Sequence, residues 1–204
     1  MKEQLIMANN SQISSMPLLH SFAAGRLSDE GLTMAHKVAL VIGGSALLAL
    51  SAHIKVPFYP VPLTMQTMLV LLIGMGFGSR LGFATIMAYL AQGAVGLPVF
   101  AGGAGLAYMA GPTGGYLFGF AVAAFVVGTL AEKGWGKSYA TMALAMVIGN
   151  IVIYAFGVSY LASIVGSFDK AIQFGLAPFI YGDLLKVVIA TALLPMAWKY
   201  LPKA

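Results

Sequence analysis

Two ionisable residues, Asp183 and Lys186, lie inside an apolar run near the C-terminal end of the chain. A charge inside a bilayer is costly, so intramembrane Asp and Lys face a bundle interior, pair with one another and mark ligand or ion sites. A spacing of three puts both on one helical face, within reach of an ion pair. Together they are nearly neutral, yet they set strong acceptors beside strong donors. That combination suits a neutral polar head group, or else a purely structural bridge. Asn150 sits in the middle of another apolar run, with Tyr154 four residues on and on the same face. Tyr89 and Gln92 share a third run, and Thr64 and Gln66 open a fourth. Each of these polar groups reads either as a site group or as a hydrogen bond between membrane helices. Tyr89, Tyr154 and Tyr181 are candidates for aromatic walls, or for ordinary packing.

Covalent catalysis finds little material. There is no Cys, and the three histidines, His20, His36 and His53, are not spaced as metal ligands. No HExxH motif or paired-carboxylate arrangement occurs, and no Gly-Lys-Ser/Thr follows the glycine-rich stretches, so a P-loop is absent. The expectation is a binding protein with no catalytic residues, no metal and no cofactor. If its work is driven by ATP, the motor is another polypeptide. The formal net charge of +5 comes from scattered single residues and not from a basic stripe, which argues for membrane topology and against nucleic acid.

The elements that must hold these residues follow from composition. The chain has 204 residues, 60% of them hydrophobic and only 8% charged, with mean hydropathy +0.91. Soluble domains carry about a quarter charged residues, so this is an integral membrane protein. Six apolar segments near the ~20 residues of a membrane helix are expected at 35–52, 63–77, 81–96, 115–131, 139–162 and 174–198. Only Gly78-Ser79-Arg80 separates the second from the third, which predicts a tight antiparallel hairpin. Residues 1–34 read as a polar cytoplasmic extension and 35–204 as one transmembrane domain. With the N-terminus inside, Lys2, Arg26, Lys37, Arg80, Lys133, Lys137, Lys199 and Lys203 fall on the cytoplasmic side, against Lys55 and Lys170 outside. That bias puts both termini in the cytoplasm.

Orientation in turn places the irregular segments outside. Pro57, Pro60 and Pro62 brace Phe58 and Tyr59 in the first outer loop. The next outer loop holds Gly96-Leu97-Pro98-Val99-Phe100-Ala101-Gly102-Gly103 and Gly111-Pro112-Thr113-Gly114-Gly115. Irregular backbone at membrane depth survives only against protein or a water-filled cavity, so these loops predict a lid over an outward-facing pocket. Counted from Phe174 at 1.5 Å per residue, Asp183 would lie about 14 Å down the last helix, beneath that lid. In the first segment, Ala39, Gly43, Ser45 and Ala49 form a small-residue spacing that permits close helix approach, either within the bundle or against another membrane subunit.

The runs Val61-Pro62-Leu63-Thr64-Met65-Gln66-Thr67, Gly93 to Gly103, Gly111 to Phe120, and Asp183-Leu184-Leu185-Lys186 resemble the BioY type of substrate-capture (S) component of the energy-coupling-factor (ECF) biotin transporters. The likeness covers about residues 36 to 200. It implies an all-α bundle of six transmembrane helices with both termini cytoplasmic, and biotin as ligand, captured at the outer face of the plasma membrane. It also implies docking of the first helix on a transmembrane coupling subunit driven by two ABC-type ATPases. Here Ala39, Gly43, Ser45 and Ala49 stand in place of an unbroken Ala-xxx-Ala run, which leaves the docking residues open. Under this resemblance Asp183 accepts from the ureido ring while Lys186 or Asn150 donates to it. Val99, Phe100 and the tyrosines wall the apolar part, and the carboxylate points toward the lid; the reverse pose, with Lys186 on the carboxylate, stays open. Two other readings also stay open: an S component for another small vitamin such as lipoate, and a self-sufficient secondary carrier.

Overall fold

The structure, a computed structural model, describes residues 33–199. Almost all of the expected N-terminal extension, 1–34, lies outside the described residues. Among the described residues eight α-helices run in chain order: α1 Met34–His53, α2 Gln66–Phe77, α3 Ser79–Ala94, α4 Gly105–Met109, α5 Gly114–Glu132, α6 Tyr139–Val165, α7 Phe168–Gly175 and α8 Ile180–Lys199. A single 3-10 turn, Trp135–Lys137, joins α5 to α6, and two short strands, β1 Lys55–Val56 and β2 Leu63–Thr64, fold the α1–α2 connection into an antiparallel ribbon.

Helix α5 is the axis of the bundle. Gly115, Gly119, Ala123, Ala124 and Gly128 are buried along it, and α2, α3 and α6 pack around it. With no gain from moving apolar surface out of lipid, such helices associate through close backbone approach, which small residues permit. The α2–α3 hairpin forms as expected. Gly78 alone joins the two helices, in a left-handed conformation at φ 84° that other residues rarely adopt. Glu132 at the end of α5 fixes the same corner, accepting from the backbone N–H and the hydroxyl of Ser79 at 2.8 and 2.7 Å.

Among the described residues three helices, α1, α5 and α6, are long and apolar enough to cross a membrane, and the bent pair α7–α8 makes a fourth span if counted as one. The second and third expected spans form shorter helices of 12 and 16 residues, about 18 and 24 Å long against a hydrocarbon core of ~30 Å. The last expected span, 174–198, is broken only at its start, and its helix runs on from Ile180. α7 ends at Gly175, Tyr116 donates to the Gly175 carbonyl at 2.8 Å, and the chain turns by 49° before α8 begins at Ile180. Asp183 therefore sits in the first turn of α8, not about 14 Å down an unbroken helix.

Candidate ligand-binding site

The break between α7 and α8 brings Asp183 opposite the start of α2. Lys186 Nζ lies 2.7 Å from Asp183 Oδ1, and both side chains are buried. The other two donors of the ammonium go to the Thr64 carbonyl at 2.6 Å and to Thr67 Oγ1 at 3.0 Å. All three N–H groups are thus engaged. Thr67 donates in turn to Asp183 Oδ1 at 3.1 Å, and the Tyr154 hydroxyl donates to Asp183 Oδ2. The pair is neither a lipid-facing accident nor an isolated bridge: it ties α8 to α2 and α6.

Beside this network lies a cavity with about 500 Å³ of space not filled by atoms, including its open mouth. Lys186, Tyr154, Thr64, Gln66 and Thr67 supply its polar wall. Tyr116, Leu117 and Phe120 of α5, with Val61, Leu63, Tyr108 and Phe179, supply the apolar one. Tyr116 and Tyr154 meet edge-on, with centroids 6.4 Å apart. A vestibule with about 890 Å³ of such space continues from it, and Pro62, Ala101, Tyr108 and Thr113 border both spaces. The β1–β2 ribbon covers one side, Phe58 packing on Phe179 at 6.3 Å; the 100–113 segment covers the other. The covering segments are the proline- and glycine-rich loops from which a lid is expected. Polar groups gathered at one end of a largely apolar concave space are the usual form of a small-molecule site.

The sequence-derived candidates divide. Lys186 and Tyr154 face the cavity, and Asp183 stands directly behind them, holding Lys186, Thr67 and Tyr154 in place. Tyr181 does not contribute: it is 84% exposed, because two residues along a helix turn a side chain about 200° away from Asp183. Gln92 points to α1 instead, donating to Ser45 Oγ at 3.0 Å. Asn150 is absent from the cavity wall; it lies one turn deeper on α6 than Tyr154, and its Oδ1 is buried without a hydrogen-bond partner among the described residues.

Tyr89, Val99 and Phe100 act from behind the wall. The Tyr89 hydroxyl accepts from Gln66 Nε2 at 2.7 Å and donates to the Val99 carbonyl at 3.0 Å, which aims Gln66. Phe100 stacks on Tyr108 at 5.2 Å and meets Tyr89 edge-on at 5.4 Å. Its ring fits only because residue 93 is glycine; a Cβ there would come within 1.9 Å of the ring. The loop aromatics therefore position Tyr108 and do not line the space themselves.

The small-residue face of α1 also divides. Ala39 and Gly43 are exposed, with open space around Gly43. Ser45 is fully buried and Ala49 packs on the core, so both belong to internal packing. Thr67, Tyr116, Phe120 and Phe179 were not foreseen as site residues. For Thr67 a signal existed, since Thr64, Gln66 and Thr67 interrupt an apolar run together; Tyr116 and Phe120 look like any other aromatics in a span. Among the described residues, no group of three or more His, Asp or Glu is placed to hold a metal ion.

Comparison with known proteins gives this geometry a context. Residues 19–203 match the BioY family. "Biotin transporter BioY" of Thermotoga maritima is 44% identical over 149 residues, covering 72% of this chain and 86% of that one. "Probable biotin transporter BioY" of Pyrococcus horikoshii is 43% identical over 157 residues, covering 76% and 92%. The fold matches a 2.1 Å crystal structure described as the S-component for biotin from an ECF-type ABC transporter, with a TM-score of 0.68 at 24% identity, over 82% of this chain and 95% of that one. A membrane protein with the S-component fold, this chain belongs to the BioY family.

Proposed function

We propose that the protein captures biotin at the outer face of the plasma membrane and delivers it inward as the S component of an ECF transporter. The carrying observation is the buried Asp183–Lys186 pair at the polar end of a covered, aromatic-walled cavity. Biotin's ureido ring offers two N–H donors and one strong carbonyl acceptor. Asp183 stands behind Lys186 and Tyr154, so it accepts from the ring as the Tyr154 hydroxyl gives up its place on Oδ2. Lys186 donates to the ring carbonyl by exchanging one of its present acceptors, such as the Thr67 hydroxyl. The thiophane ring and valeryl chain lie against Tyr116, Phe120, Leu63 and Phe179, and the carboxylate faces the vestibule. No bond is made or broken, so the role is capture without catalysis. The relatives' names as biotin transporters support this choice of ligand.

In this reading six helices, α1, α2, α3, α5, α6 and α8, form the transmembrane bundle, with both termini cytoplasmic. The exposed Ala39 and Gly43 of α1 dock on a transmembrane coupling subunit, which two ABC-type ATPases drive. The decisive experiment is calorimetric titration of the detergent-purified protein with biotin, with lipoate and thiamine as controls. Saturable binding of biotin alone is expected. Absence of biotin binding, or tighter binding of lipoate, overturns the proposal. Uptake that persists without the ATPases and collapses with a protonophore would mark a secondary carrier instead.

A further inference from the structure

The vestibule above the cavity has a chemistry of its own. Lys55 is the charged residue of its described wall, set among Pro57, Phe58, Tyr108 and Thr113. In the ribbon, Lys55 pairs directly with Thr64, and directly opposed residues of an antiparallel pair project from the same face. Thr64 borders the inner cavity and Lys55 the vestibule, so one face of the ribbon carries a residue of each space. Its ammonium donates to the carbonyl of Ala101, a residue that borders both spaces. Two of its three donors remain uncommitted among the described residues. At the inner end the Asp183–Lys186 pair cancels its own charge, whereas the outer end carries an unbalanced cation. A ligand with an uncharged polar head and an anionic tail meets this field in one orientation only, head inward and tail outward.

We propose that Lys55 is the anchor for the ligand's carboxylate and the residue that makes the site prefer an acid to its neutral analogue. This rests on the reading of the inner cavity as a biotin head-group site. Lys55 is exposed, so screening reduces a charge-assisted bond to an effect of about tenfold in affinity. The test is calorimetry on the full chain with biotin and with biotinamide, in which a neutral carboxamide replaces the carboxylate. Wild type is expected to bind biotin about tenfold tighter than biotinamide. Lys55→Gln is expected to lose that preference by weakening biotin while leaving biotinamide unchanged, and Lys55→Arg to restore it. The assignment is overturned if Lys55→Gln binds biotin within twofold of wild type, or if it weakens both ligands equally. A wild-type protein that binds neither ligand overturns the biotin reading itself, and the role of Lys55 with it.

Discussion

Replacing Asp183 by Asn keeps the shape of the side chain and removes its charge. Lys186 is 7% exposed and Asp183 4%, so the relevant regime is that of a buried pair and not of a screened surface bridge. Removing one member of such a pair leaves the other charge buried and uncompensated, at a cost of about 3–5 kcal/mol. Asp183→Asn and Lys186→Met are each expected to lower the thermal unfolding midpoint in detergent clearly. The double variant Asp183→Asn/Lys186→Met removes both charges together, so its loss of stability is expected to be smaller than the sum of the single losses. Ligand binding follows a different pattern. A hydrogen bond to a charged group contributes about 1.5–3 kcal/mol, so each single variant is expected to bind biotin about 10- to 150-fold more weakly. The double variant regains stability but not affinity. Parallel calorimetry and thermal unfolding on the four proteins separate the two effects. Additive stability losses, together with biotin affinities within twofold of wild type in every variant, would refute the coupling and the site at once.

Three further outcomes are expected. Gly43→Leu faces open space, so the isolated protein is expected to keep its biotin affinity while losing copurification with the coupling subunit; intact assembly would remove the docking role of that face. Tyr181→Ala is expected to leave biotin affinity within twofold of wild type, because the side chain is turned away from the cavity; calorimetry showing a tenfold loss would restore it to the site. Gly93→Ala drives a methyl group into the Phe100 ring and thereby disturbs Tyr108. It is expected to lower the unfolding midpoint, at the ~1–3 kcal/mol typical of overpacking, and to weaken biotin binding; a variant unchanged in both would show that the loop aromatics do not position the wall.

Apolar length makes the longer helices readable, because a bilayer demands long, internally hydrogen-bonded segments. The expected segments 35–52, 115–131 and 139–162 agree closely with α1, α5 and the first 24 residues of α6. The last helix starts at Ile180 and not at Phe174, because the 174–198 run is apolar through the break and nothing local shows that Tyr116 captures the Gly175 carbonyl from 59 residues away. The same distance problem governs the site. Asp183 and Lys186 stood out because charge inside a span is rare. Their partners Thr64 and Thr67 come from a ribbon and helix start more than a hundred residues earlier. Tyr181 and Gln92 showed only that a polar or aromatic group was present, since helical facing and the neighbouring helix decide where it points. Ser45 illustrates this, taken from an apparent docking face by a hydrogen bond with Gln92.

A structure of the full chain with biotin bound would decide the matter. The ureido ring should rest within hydrogen-bonding distance of Asp183 and Lys186, with the carboxylate toward the vestibule. Biotin reversed in the cavity, or bound away from α8 altogether, would contradict it.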